Sequence, residues 1–170
     1  MEELVRRKPT RLYRHDYSTP GAYFITVCTK NKKKILSIVG DGALDVPKIQ
    51  LTDKGKIIEK YILSTNKIEN VSVNKYVIMP NHIHMIITIT PIDIDGTKEN
   101  GTTRAPSPTN EMIPRIVSAL KRFCNREIGE NIFQRSYHDH IIRNQDDYDH
   151  IWNYIEQNPM YWKNDCFYIE

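Results

Sequence analysis

The chain has 170 residues, 39% hydrophobic and 26% charged, with a net charge of +3, which suits one ordinary domain with its own core and argues against a second. No run of about 18 apolar residues occurs and the charged N-terminus has no apolar segment behind it, so neither a membrane span nor a secretory leader is expected. Cys28, Cys124 and Cys166 are scattered and odd in number, which excludes a disulfide framework or a Cys-x-x-Cys metal site and points to a reducing, cytoplasmic setting.

Residues 1–20 are basic and polar without period and read as an N-terminal arm. Gly21 to Thr29 is dense in β-branched and aromatic residues and predicts the first strand, with the lysine run Lys30 to Lys34 at its exposed end. Glycines at 40 and 42 and a proline at 47 predict an irregular connection or a small hairpin over 35–50. A helix is expected from Leu51, with Thr52 as N-cap and Ile57, Ile58, Tyr61 and Ile62 on one face. Val71 to Met79 and His82 to Thr90 follow as two strands across the turn Met79-Pro80-Asn81.

From Pro91 to Asn110 bulky apolar residues nearly vanish, so 91–112 is expected to be a flexible internal loop. Ile116, Val117, Leu120 and Phe123 give the next helix its stripe, opposite Lys121, Arg122 and Arg126. Phe133 to Ile142 predicts a fourth strand, and Gln145 to Gln157 a final helix with Tyr148, Ile151, Trp152 and Ile155 as its apolar side. Residues 163–170 are left as a C-terminal tail. The order β-α-β-β-α-β-α predicts an α+β, ferredoxin-like fold: an antiparallel four-stranded sheet with helices packed on one face.

Chemistry concentrates in two places. His82 and His84 stand two residues apart on a strand and therefore share a side, which is a metal-binding geometry and equally that of hydrogen-bonded core histidines. Tyr154 and Asn158 stand four apart on the final helix and share a face. Were that helix to lie over the histidines, two imidazoles and an amide oxygen would form an incomplete shell for Mg²⁺ or Mn²⁺, with room for phosphate oxygens. A phenol beside such an ion is a usable nucleophile towards a phosphodiester, although a tyrosine in an amphipathic helix is equally at home as a packing residue. Tyr137 is the rival nucleophile.

Taken together, Tyr76 to Ile87, Phe133 to Asn144 (with Asp139-His140-Ile141-Ile142-Arg143-Asn144) and Tyr154-Ile155-Glu156-Gln157-Asn158-Pro159 resemble the single-tyrosine HUH transposases, especially the REP-associated tyrosine transposases. The resemblance covers most of residues 21–162 and marks them as the transposase domain. It implies that His82, His84 and Asn158 hold a divalent metal, Mg²⁺ or Mn²⁺, and that Tyr154 is the catalytic nucleophile. The implied activity is cleavage and strand transfer of single-stranded DNA through a 5′-phosphotyrosine, at hairpin-forming ends.

Arg6, Arg7, Lys32, Lys33, Lys34, Lys121, Arg122, His140 and Arg143 are the DNA-binding candidates, and Tyr13, Tyr17 and Phe133 the candidate stacking partners for bases. The relatives act as homodimers with a shared active site or as monomers, and both remain open from sequence. So do a non-catalytic nucleic-acid-binding domain of the same fold and a metal-dependent nuclease using water.

Overall fold

The computed structural model describes residues 16–40, 47–91 and 111–169. The strands and α-helices of the described residues are, in chain order, β1 (Gly21–Cys28), β2 (Ser37–Gly40), β3 (Lys48–Leu51), α1 (Asp53–Ser64), β4 (Val71–Ile78), β5 (His82–Ile89), α2 (Met112–Ile128), β6 (His138–Ile142) and α3 (Gln145–Gln157). The main sheet is four-stranded and antiparallel, as the sequence predicts; its strands run in the order β4-β5-β1-β6, while β2 and β3 form a separate two-stranded hairpin. The expected arm 1–20, with Arg6, Arg7 and Tyr13, and the expected loop 91–112 lie largely outside the described residues.

Alternation along the central strands assigns the two faces of the sheet. Tyr23, Ile25 and Val27 of β1 and Ile83, Met85 and Ile87 of β5 form one core with Ile58 and Ile62 of α1 and Ile116, Val117 and Leu120 of α2. On the opposite face, Phe24 and Ile86 pack with Ile151, Ile155 and Trp162. The expectation that the helices share one face therefore holds for α1 and α2, whereas α3 covers the other side. The near-continuous apolar run of β5 has its cause here, because a strand covered on both faces has no solvent side to mark with polar residues.

Local signals set the helix ends. Thr52 Oγ1 accepts from Gly55 N (3.1 Å) as the α1 cap, and Asn144 Oδ1 accepts from Asp147 N (2.8 Å) at the start of α3. Gly129 ends α2 in the left-handed conformation at φ 77°. β6 begins five residues later than its sequence predicts: Phe133 makes only an isolated bridge to Thr29, and the carbonyls of Gln134 and Ser136 accept from the Lys121 ammonium instead of a neighbouring strand. No helix among the described residues is long and apolar enough to cross a membrane.

Gly55 marks the tightest approach of α1 to the chain before β2. An added Cβ there would collide with the carbonyl oxygen of Leu36. A Gly55→Ala variant is accordingly expected to lose about 1–3 kcal/mol of stability by overpacking, read as a lower urea midpoint with an unchanged slope.

Candidate metal and nucleophile site

β5 opens directly after the turn Met79-Pro80-Asn81, and that turn is held from both sides. Pro80 O accepts from Ile35 N (2.9 Å) and Leu36 N (3.0 Å), and Asn81 O from Thr29 N (2.9 Å). The Asn81 side chain then orients His82. Its Nδ2 donates to Phe167 O (2.8 Å) and Lys32 O (3.3 Å), so Oδ1 is the atom left facing His82 Nδ1 at 2.9 Å. That assigns the proton to Nδ1 and leaves the Nε2 lone pair turned into the site. His84, paired across the sheet with Thr26, has its Nδ1 2.8 Å from Thr26 Oγ1.

The two rings lie 4.4 Å apart between centroids, and their residues are 0% and 1% exposed. Burial lowers the His82 pKa to about 4, against the opposing pull of the Asp165 carboxylate and the Asn158 side chain. Burial likewise lowers that of His84, and the neighbouring His82 adds to the effect. Both imidazoles are neutral at pH 7, the form that ligates metal.

α3 brings the second half. Its buried Ile151 and Ile155 anchor it on the sheet, which leaves Tyr154 38% exposed at the border of the histidine cluster. Tyr154 Oη lies 3.4 Å from His84 Nε2, and the phenol ring sits edge-on to Phe24 at 6.0 Å between centroids. Burial, then the Asp165 carboxylate, raises its pKa to about 12, so the hydroxyl keeps its proton at neutral pH. One turn on, Asn158 is buried and its Nδ2 donates to Asp165 Oδ2 (2.8 Å). Its Oδ1 is buried without a hydrogen-bond partner, as is His82 Nε2.

Asp165 is the residue that the sequence reading misses. Its carboxylate is 3.9 Å from His82 Nε2, and the ligand atoms of His82, His84 and Asp165 lie within 4.8 Å of one another. These three form a group able to hold a metal ion. The two orphaned atoms, His82 Nε2 and Asn158 Oδ1, are unsatisfied donors of electron pairs in the same place, and a cation would satisfy both. No spacing rule announces Asp165, because it stands in irregular chain beyond Pro159. Phe167, from the same stretch, covers the pair with its ring 4.6 Å from His82 and 5.8 Å from His84.

No family model matches the chain. It is 31% identical to an uncharacterized protein of Haemophilus influenzae over an aligned 181 residues, spanning 98% of this chain and 96% of that one. It is 25% identical over 148 residues to the REP-associated tyrosine transposase of Escherichia coli (strain K12), spanning 87% of this chain and 72% of that protein. The relative with a named activity is thus a tyrosine transposase, of the family that the sequence motifs resemble. A solved structure of a REP-associated tyrosine transposase bound to a REP hairpin superposes with a TM-score of 0.59, covering 88% of this chain and 72% of that one at 22% identity, which supports the fold.

The remaining candidates scatter. Lys32 and Lys34 bracket the segment that covers the histidines: Lys32 Nζ donates to Cys166 O (3.3 Å) and stands over Phe167, and Lys34 stands over Tyr168. Lys33 and Arg122 are exposed. Lys121 is half-buried, its ammonium held by the Gln134 and Ser136 carbonyls at 2.9 and 2.8 Å, and burial lowers its pKa to about 8. His140 pairs with Asp147 (2.9 Å), whose carboxylate also accepts from Arg143 N (3.2 Å), at the outer edge of the sheet. Tyr17 and Phe133 are core residues rather than stacking platforms, and Tyr137 is buried in the core on the α1 and α2 face, away from His82 and His84.

Proposed function

We propose that this chain cuts and rejoins single-stranded DNA at hairpin-forming ends, with Tyr154 as nucleophile. The observation that carries the reading is the 3.4 Å separation of Tyr154 Oη from His84 Nε2, beside two buried electron-pair donors that lack partners. His82, His84 and Asn158, joined by Asp165, would hold the metal, and this mixed nitrogen and oxygen set suits Mn²⁺ or Mg²⁺. A cation bound there would withdraw charge from the non-bridging oxygens of a phosphodiester.

The chain's own residues do the rest. Asn81 and Thr26 hold the imidazoles in fixed orientation, and α3 holds the phenol against them, so a phosphate that reaches His84 also meets Tyr154. Attack forms the bond from Tyr154 Oη to phosphorus, breaks the bond from phosphorus to O3′, and passes the phenol proton to solvent while the leaving oxygen becomes a 3′ hydroxyl. The strand then remains on the protein as a 5′-phosphotyrosine, and a 3′ hydroxyl end reverses the step at a new junction. The related transposase held on a REP hairpin supports a folded DNA substrate. Tyr154 meets the histidines of its own chain, which supports a site complete in a monomer.

Incubation with hairpin-bearing single-stranded DNA and Mn²⁺ tests the reading. A protein–DNA band that survives a denaturing gel, carrying the label 3′ of the cut, is the expected product. Cut DNA with no bound protein would instead favour a water-using nuclease, and binding without cutting a non-catalytic domain.

A further inference from the structure

A cavity of about 290 Å³ adjoins the nucleophile. Tyr154, Asn158 and Asp165 belong to both it and the histidine cluster, and Gln157, Tyr161 and Asn164 line the rest together with Cys166. Three features of the lining stand unexplained by packing. Tyr161 is 56% exposed and makes no ring contact among the described residues. Gln157 and Asn164 are exposed, and neither side-chain amide has a hydrogen-bond partner among the described residues. They are held in place all the same, since Tyr161 N donates to Gln157 O (3.3 Å) and Asn164 N to Tyr161 O (2.8 Å).

We infer that this cavity receives one unstacked nucleobase next to the scissile phosphate and makes cleavage selective for that base. The inference rests on the proposed strand transfer at Tyr154. Attack requires the phosphorus within ~3–3.5 Å of Tyr154 Oη, which leaves the adjoining nucleoside at the mouth of a cavity that Tyr154 itself lines. An exposed aromatic face is the side chain on which an unpaired base stacks, whatever its identity. A side-chain amide offers a donor and an acceptor together, the pattern that pairs with a base edge and discriminates between bases. The volume, at the lower limit of ordinary ligand sites (~300 Å³), suits a single ring system and not a stacked run. Tyr161 would supply affinity, and Gln157 with Asn164 the choice of base.

Two measurements test this. In the first, the chain with Mn²⁺ is given a hairpin-bearing single-stranded library randomised around the cut, and the ends joined to protein are sequenced. One flanking position is expected to show a preference of about tenfold for one base; Gln157→Ala or Asn164→Ala should flatten it at that position alone, and Tyr161→Ala should lower cleavage of all members about equally. A preference that survives both amide substitutions overturns the inference while leaving strand transfer standing. In the second, the side-chain amide resonances of Gln157 and Asn164 are followed by NMR as each of the four deoxynucleoside 5′-monophosphates is added. Larger shifts for one base support the pocket even if no adduct forms and strand transfer itself has failed; absent or identical shifts overturn it.

Discussion

A Tyr154→Phe chain should lose the covalent DNA adduct and strand cleavage by a factor on the order of 10⁴ or more, the scale on which removal of a nucleophile acts. The substitution is unusually clean here. Phenylalanine keeps the ring that packs edge-on to Phe24 and against His84, and only the oxygen at 3.4 Å from His84 Nε2 disappears. So long a contact contributes little, and fold stability should change by less than about 1 kcal/mol. His82, His84, Asn158 and Asp165 are untouched, so Mn²⁺ binding and hairpin binding should stay within about twofold of the parent chain. The measurement pairs a denaturing gel for the adduct with a calorimetric titration of Mn²⁺ and a mobility shift for the hairpin. Cleavage at the parental rate would remove Tyr154 from the mechanism. Loss of hairpin binding along with cleavage would instead mean that the hydroxyl serves to hold DNA.

Much of this geometry was legible from residue order, and what was not has physical reasons. His82 and His84 point the same way because strand periodicity requires it, and Tyr154 and Asn158 because helix periodicity requires it. Both hold over a few residues of chain. The stripe Ile151 and Ile155 likewise marks which side of α3 is buried, but contains nothing about which face of the sheet receives it, and the expectation of helices on one face failed at that point. Lys121 reads as part of a basic helix face, yet its ammonium is spent on loop carbonyls that delay β6, a contact between segments that no local pattern encodes. Tyr17 and Phe133 show the same limit from the apolar side, since an aromatic in irregular sequence is as fit for the core as for a base. Asp165 and Phe167 were invisible for a third reason. They act from irregular backbone, held by Asn81, Lys32 and Asn158, so their place depends on the finished fold.

That segment sets the second large expectation. His82 and His84 are 0% and 1% exposed, so no DNA phosphate reaches them while Phe167 stays where it is. Under the proposed mechanism the Phe167 ring and the chain beyond Asp165 must move before reaction, Asp165 staying where Asn158 holds it, and the fraction of molecules in which they have moved multiplies the rate. Its hold comprises the half-buried Phe167 ring, the bond from Asn81 Nδ2 to Phe167 O (2.8 Å) and that from Lys32 Nζ to Cys166 O (3.3 Å). Burial of the ring contributes about 1–2 kcal/mol and the hydrogen bonds about 1 kcal/mol or less each. A Phe167→Ala chain, which keeps Asp165 and both backbone acceptors, should therefore open more often and cleave about tenfold faster. Access has a readout that does not depend on cleavage, because diethyl pyrocarbonate modifies only imidazoles that solvent can reach. His82 and His84 should be resistant in the parent chain and react faster in the variant, whereas exposed His150, on α3, should react at a similar rate in both. Faster modification without faster cleavage would mean that opening is not what limits the reaction, and no change in either would mean that the Phe167 ring does not hold the segment closed.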